Sequence, residues 1–338
     1  MLGAFLAMLA AITFALNNAT SRRGVISGTV VQALAITVPM GVPLFLILVL
    51  AFGQWDVLGR LSLESIFWLS CAGIIHFVWG RYCNYRAAKA IGANLMGAAS
   101  QSDILFTLAL AMIVLGEKMT PMRVLGIALV LCGPLITMVG DLKKAKAQQD
   151  ALAAKGGFQP KYVEGYIFAF LSGTGYGVSP IFVRLALRDT DPGAALVGGL
   201  VSYLAASFVV GCLMLLPGQF VHAKQVDRKA TLWFVISGVT VMASQMFRYM
   251  ALSVAPVSVV QPIQRLSLLL RFFFGWLINR EHEIFSGKVW LSTIVALIGA
   301  LLLTFTTEQV IAWVPMPEEL VAFLRICLLY TSPSPRDL

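Results

Sequence analysis

Residues 64–88, ESIFWLSCAGIIHFVWGRYCNYRAA, and residues 230–252, ATLWFVISGVTVMASQMFRYMAL, decide how this chain is read. Each is long enough to be a spanning helix, which needs ~20 mostly apolar residues. Shifted by 164, Tyr85 falls on Tyr249, Ala87 on Ala251, Leu105 on Leu269 and Glu117 on Glu281. Shifted by 162, Gly3 falls on Gly165 and Arg22 on Arg184, and two extra residues near Glu283–Lys288 bring Gly133 onto Gly299. Working outward, the apolar segments are 2–20, 27–51, 64–88, 92–115 and 120–139, then 164–186, 193–216, 230–252, 256–278 and 289–307. Charged landmarks match as well as apolar ones, so the second set of five reads as a copy of the first. An odd number of spans per copy inserts the second copy the opposite way up. The expected fold is an all-α polytopic membrane protein, with ten transmembrane helices as two inverted five-helix repeats. The expected units are a repeat at 1–139, a basic polar linker at 140–163, a repeat at 164–307, and a tail at 308–326.

Composition agrees. Of the 338 residues, 59% are hydrophobic and 12% charged, against ~25% charged in soluble domains; the mean hydropathy is +0.84. A surface that apolar needs lipid as its solvent, which places the chain in the cell (inner or plasma) membrane as a multi-pass protein. The first span lacks a basic n-region and a small-residue cleavage site, so it reads as a retained helix. The formal net charge of +9 has a membrane explanation: Lys143, Lys144, Lys146, Lys155 and Lys161 crowd the linker, and such clusters favour an anionic leaflet. No aromatic platform separates them, so nucleic acid is not an expected partner. Most loop cations fall on the side of the linker; only Arg60, Lys118, Arg123, Arg184, Arg188 and Arg325 fall on the other. That bias puts the linker in the cytoplasm and the N-terminus outside. Residues 327–338, which include Thr331-Ser332-Pro333-Ser334-Pro335-Arg336, resemble a translated sequencing adaptor, and the natural chain is expected to stop near Ile326. Cys71, Cys83, Cys132 and Cys212 lie within spans without metal or disulfide spacing, so no metal is expected.

The run Tyr85-Arg86-Ala87-Ala88, Gly92-Ala93, Leu115-Gly116-Glu117-Lys118-Met119-Thr120-Pro121, Gly126 and Gly133 resembles the fourth-to-fifth helix signature of the EamA-type drug/metabolite transporter superfamily. Ala251-Leu252, Ala255-Pro256, Glu281 and Gly299 repeat it more loosely, departing at Asn279-Arg280-Glu281. The resemblance covers about residues 2–307. It implies ten helices in two inverted repeats and a central cavity lined by the third, fourth, eighth and ninth. It also implies both termini in the cytoplasm, opposite to the charge bias.

Polar residues inside the spans carry whatever chemistry the chain has, because intramembrane ionisable groups are costly and face a cavity or a partner. The third span carries Arg81 and Asn84 on one stripe with Gly73 and Phe77; the eighth carries Ser237, Ser244 and Arg248, with Gln245 beside them. The fourth carries Asn94, Gln101 and Asp103, and the ninth Gln261, Gln264, Arg265, Ser267 and Arg271. Arg81, Arg248, Arg265 and Arg271 face one intramembrane acid, Asp103, and a guanidinium fork suits a carboxylate or phosphate. Arg86 and Arg271 have a competing reading as interface residues, and Arg81 or Arg265 as ion-pair partners of Asp103.

The expected substrate set is Arg81, Asn84, Asn94, Gln101, Arg248, Gln261, Gln264 and Arg265, with Trp79, Tyr82 and Phe247 as aromatic walls and Asp103 as the coupling residue. Glu117 and Glu281 read as structural or gating residues near the surface, and His76 as a helix–helix contact. Gly173, Gly175, Gly177 and Pro180 in the sixth span, and Pro39, Gly41 and Pro43 in the second, read as hinge or packing positions. No P-loop, paired carboxylates or glycine-rich nucleotide turn is present, so no cofactor is expected and the chain is not read as an enzyme. The expected function is secondary transport of a small anionic or amphiphilic metabolite by alternating access. The alternatives are an intramembrane enzyme acting on a lipid-linked anion with Asp103 as acid/base, and a non-transporting receptor or scaffold. The expected partners are the small-molecule substrate and the lipid bilayer, and a homodimer is compatible with the sequence.

Overall fold

The computed structural model describes residues 2–103, 106, 125–132, 136, 160–187, 194–254, 263–283, 285–304, 311–312 and 315–321. Most of the linker, Glu117, Gln261 and the adaptor-like tail lie outside the described residues, as does the side chain of Gln101. Among the described residues every regular element is helical. Six helices are long and apolar enough to cross a membrane: Leu2–Ser27, Val30–Ala51, Leu63–Ile91, Tyr162–Val183, Ala195–Met214 and Arg228–Arg248; Gly287–Gly299 is a shorter apolar helix. These are the expected spans one, two, three, six, seven, eight and ten. Parts of the others are helical too, at Ala93–Ala99, 125–132 and Ser267–Asn279.

Local chemistry divides the chain. Helix α1 (Leu2–Ser27) ends before Thr29, whose hydroxyl accepts from Gln32 N while the Gln32 side chain accepts from Thr29 N. This reciprocal cap starts α2 (Val30–Thr37). Pro39 lies in the turn before α3 (Gly41–Ala51), and Pro43 sits in the first turn of α3, where a missing N–H costs little. The second span is therefore two helices joined at a bend. A short α4 (Trp55–Leu58) leads to Ser62, which caps α5 (Leu63–Gly73) by accepting from Ser65 N at 3.0 Å. A π-helical stretch, Ile74–Gly80, joins α5 to α6 (Arg81–Ile91). Gly92, at φ +82°, then turns the chain into α7 (Ala93–Ala99), a conformation an L side chain rarely adopts.

The second half supplies α8 (Tyr162–Ala186), α9 (Ala194–Met214), α10 (Gln219–Lys224), α11 (Arg228–Val254), α12 (Ser267–Asn279) and α13 (Gly287–Thr304). Helix α1 packs along α11 and α12; α8 packs along α5 and α6, and α9 along α3 and α5. Ala7, Ala11, Ala15 and Ala19 are buried on one stripe of α1, and small residues at this spacing let helix backbones approach where water gives no driving force. Gly175 packs against Gly80, and Gly173 and Gly177 against the Ser102–Asp103 backbone. Helix α8 runs unbroken through Pro180, so its glycines act in packing. One apolar core gathers Phe45, Phe77, Tyr203 and Phe234, and a second gathers Ala87, Ile91, Leu95, Met96 and Phe272. Phe5, Ile47, Phe67, Ile167 and Phe208 stay exposed on the outside, as a lipid-facing surface requires.

Candidate functional site

The buried cations enter the fold by different routes. Arg81 begins α6 just after the π-helical stretch and is 4% exposed. Its Nη1 donates to the Thr37 carbonyl at 3.3 Å and its Nη2 to the Tyr203 hydroxyl at 2.9 Å. The guanidinium lies over the Phe77 ring at 5.1 Å and the Tyr203 ring at 5.7 Å. Tyr85 donates to Thr37 Oγ1 at 3.2 Å. Three helices of the first half and α9 thus meet at one guanidinium held by phenol, carbonyl and aromatic faces rather than by a carboxylate.

Asp103 pairs with Arg265, Nη1 to Oδ2 at 3.5 Å, with both side chains 21% exposed. Of the two partners the sequence allowed, Arg265 is the one in contact. Arg271, one and a half turns further on, lies within electrostatic reach of both. It is 5% exposed, lies over the Phe14 ring at 5.3 Å, and presses on α7 where Gly97 has no side chain. The reading of Arg271 as an interface residue is corrected: the small residue opposite lets it point inward. Among the described residues its Nε and Nη1 have no hydrogen-bond partner, and neither do the side-chain N and O of Asn94, one turn before Gly97. A buried polar atom without a partner costs ~1–3 kcal/mol, so the seam between α7 and α12 has room for a polar partner.

Tyr176, on α8 between Gly175 and Gly177, ties these groups together. It lies within electrostatic reach of Arg81 and Arg271, and its ring sits 4.6 Å from that of His76. His76 is in turn within reach of Arg81 and Arg248. Sequence reasoning missed Tyr176; an aromatic residue flanked by glycines in a span was the available signal.

The remaining expected residues divide. Asn84 is buried but donates to Met96 Sδ at 3.2 Å, a helix–helix contact. Gln264 and Arg248 are half-buried. Phe247 packs with Leu6, Ala7 and Ile263 against α1. Trp79 lies on the outer surface, 46% exposed, with its Nε1 donating to Thr174 Oγ1 at 3.2 Å. Two residues before Arg81, Trp79 falls on the other side of the helix from it, so its reading as a wall of the site is corrected. Tyr82 accepts from Arg86 Nη1 at 3.0 Å near the helix ends, and Arg86 pairs with Glu164 at 2.8 Å.

A second polar network closes one end of the bundle. Glu283 has a fully buried side chain; its Oε1 accepts from Ala93 N at 2.6 Å and its Oε2 from Asn94 N at 3.0 Å. It thereby caps α7 at the helix end that favours negative charge. Arg22 Nε stands 3.7 Å from Oε1, while Nη1 donates to the Lys89 carbonyl at 2.8 Å and Nη2 to the His282 carbonyl at 2.9 Å. Burial pushes the Glu283 carboxyl above its ordinary value, opposed by Arg22 and by the two backbone amides. Glu281 is exposed; the buried acid of this region is Glu283, two residues on.

Fifteen solved chains match. One crystal structure, described only as that of a protein, covers 89% of this chain and 95% of its own at 19% identity and a TM-score of 0.52, a likeness that speaks for the fold alone. No curated protein matches. The EamA-like transporter family matches residues 1–139 and 163–305, nearly the whole chain. With several apolar helices of spanning length, the chain is a multi-pass membrane protein and belongs to the EamA-like transporter family.

Proposed function

We propose that this chain is a secondary transporter that moves a small anionic metabolite by alternating access, built as ten transmembrane helices in two inverted five-helix repeats. The repeat reading is supported by the family's match to two stretches of similar length. Pairing Glu117 with Glu283 instead of Glu281 supports it further. The spacing from Glu117 to Gly133 then equals that from Glu283 to Gly299, and the two-residue insertion falls before the glutamate.

The observation that carries the anionic substrate is Arg271. It is a buried guanidinium with two nitrogens lacking hydrogen-bond partners among the described residues, opposite an Asn94 in the same condition. A carboxylate or phosphate entering between α7 and α12 satisfies both. Asp103 offsets Arg265 when the site is empty and is the residue proposed to couple transport to a proton. Arg81, bonded to Thr37 and Tyr203, sets the field from the opposite side through Tyr176.

The test is counterflow in liposomes against a panel of anionic metabolites, using variants first checked for folding. Arg271→Gln is expected to lower exchange of the anionic substrate at least tenfold, while Arg271→Lys retains part of it. Asp103→Asn is expected to lose proton-driven flux and keep exchange. Folded Arg271→Gln and Arg265→Gln proteins that exchange an anionic substrate at the wild-type rate overturn the reading.

A further inference from the structure

We propose that a cleft where four helix ends meet binds the phosphate-bearing headgroup of an anionic phospholipid. The cleft encloses about 420 Å3 and is lined by Thr29, Arg86, Lys89 and Lys161, with Tyr82 and Glu164 at its side. Thr29 caps α2, Lys89 sits in the last turn of α6 and Lys161 immediately precedes α8. Lys89 Nζ donates to the Gly28 carbonyl at the end of α1 at 2.9 Å, and Lys161 N donates to the Ala90 carbonyl at 2.9 Å. These bonds fix the frame of the cleft.

Its charge balance is cationic. Arg86 already holds Glu164, the one acid in the lining. The charges that act on Lys89 are Arg22, Lys161 and Arg86, all of the same sign. Neither Lys89 nor Lys161 forms an ion pair with an acid among the described residues. Cations gathered without a matching acid repel one another, and a phosphate diester placed among them relieves that repulsion.

The surroundings favour a lipid over a soluble anion. Val163, Ile167 and Phe170 form an exposed apolar stripe on α8, 63%, 53% and 49% exposed, starting beside Lys161 and Glu164. The Arg86 guanidinium lies over the Phe168 ring at 4.8 Å, which sets a cation of the cleft directly against apolar surface. A headgroup in the cleft leaves its acyl chains against this stripe. The cleft also lies at the side to which most loop cations belong.

The experiment uses the whole purified protein in detergent, by native mass spectrometry and thermal shift, and reads binding without transport, so it fails or succeeds independently of the transport reading. The ligands are phosphatidylglycerol, phosphatidylcholine, inorganic phosphate and glycerol phosphate. Phosphatidylglycerol is expected to bind and raise Tm, and phosphatidylcholine and the two soluble anions to do so far less. Lys89→Gln and Lys161→Gln should each weaken phosphatidylglycerol about fivefold. Lys229→Gln, in the first turn of α11, should have no effect. The Lys161 side chain makes no hydrogen bond among the described residues, so Lys161→Gln tests the site even if Lys89→Gln fails to fold. Equal binding of the two lipids, unchanged affinity in Lys161→Gln, or an equal shift from inorganic phosphate alone overturns the proposal.

Discussion

Replacing Glu283 with Gln should be among the most damaging single-atom changes in this protein. The carboxylate accepts two backbone N–H groups, from Ala93 at 2.6 Å and Asn94 at 3.0 Å, and faces Arg22 Nε at 3.7 Å. A glutamine has one acceptor oxygen, so one of the two amides is left facing an NH2 donor. An unsatisfied buried amide costs ~1–3 kcal/mol, and removing one member of a buried ion pair ~3–5 kcal/mol. Arg22 keeps the Lys89 and His282 carbonyls as acceptors at 2.8 and 2.9 Å, which pulls the loss toward the lower figure. The expected destabilisation is about 3 kcal/mol, measured by reversible unfolding in mixed micelles. In a double-mutant cycle with Arg22→Gln, the coupling should be ~1–3 kcal/mol. Hydrogen exchange should quicken first at the Ala93 and Asn94 amides. A loss below ~1 kcal/mol, additive with that of Arg22→Gln, refutes the network as a structural tie.

Two further outcomes follow from the packing and the loop chemistry. A Cβ at Gly73 falls on the backbone of Ser202, whose hydroxyl donates to the Leu69 carbonyl at 2.9 Å, whereas a Cβ at Gly211 meets nothing within 4 Å. Gly73→Ala should therefore cost ~1–3 kcal/mol, while Gly211→Ala should be neutral or stabilising by up to ~1 kcal/mol; equal unfolding curves for the two contradict the close approach of α5 to α9. Burial, with Arg23 and Arg22 nearby, holds the His282 pKa below its ordinary value. The folded protein then binds fewer protons there than the unfolded chain, so His282 contributes stability above the ordinary histidine value of ~6.5 that is lost as pH falls through the folded one. His282→Asn should flatten that part of the pH–stability profile, and an unchanged profile rules the histidine out as its source.

Six of the spans were legible because lipid demands ~20 apolar residues whatever their neighbours. Their breaks were legible where chemistry is local, as at Pro39 and at Thr29 with Gln32. The polar residues were legible as a set but not in their roles. Arg22 served as a landmark for aligning the halves, yet it is a buried tie between α1, the α6–α7 turn and the loop after α12. A single shift aligns Glu281 with Glu117, and Glu281 is exposed as a residue near the surface should be; the buried acid, two residues on at Glu283, leaves no signal in the sequence. Trp79 reads from the sequence as an aromatic wall of the site, yet it stands two positions before Arg81, on the other side of the helix, and lies on the outer surface. Arg271 has the same side chain whether it reaches out to an interface or in to a cavity. What decides is Gly97 on another helix, a pairing that sequence periodicity does not encode.

The buried cations fall into two kinds, and the distinction bears on mechanism. Arg22 spends its charge at the bundle's end on a fixed carboxylate and two fixed carbonyls, all supplied by elements that must stay in register. Such groups are expensive to separate, and they belong to a structure that holds still or moves as one body. Arg271 and Asn94 have side-chain atoms with no hydrogen-bond partner among the described residues, and Arg265 faces Asp103 across 3.5 Å with both side chains partly exposed. In the proposed transport cycle a bound anion supplies the partners that Arg271 and Asn94 lack. A ligand shifts an equilibrium by no more than its difference in affinity between two states. Under the proposed function, the α7–α12 seam supplies that difference if an anion satisfies Arg271 and Asn94 in one state and not in the other. On the same reading, the capped end of α7 beside Arg22 and Glu283 is the fixed end of that contact.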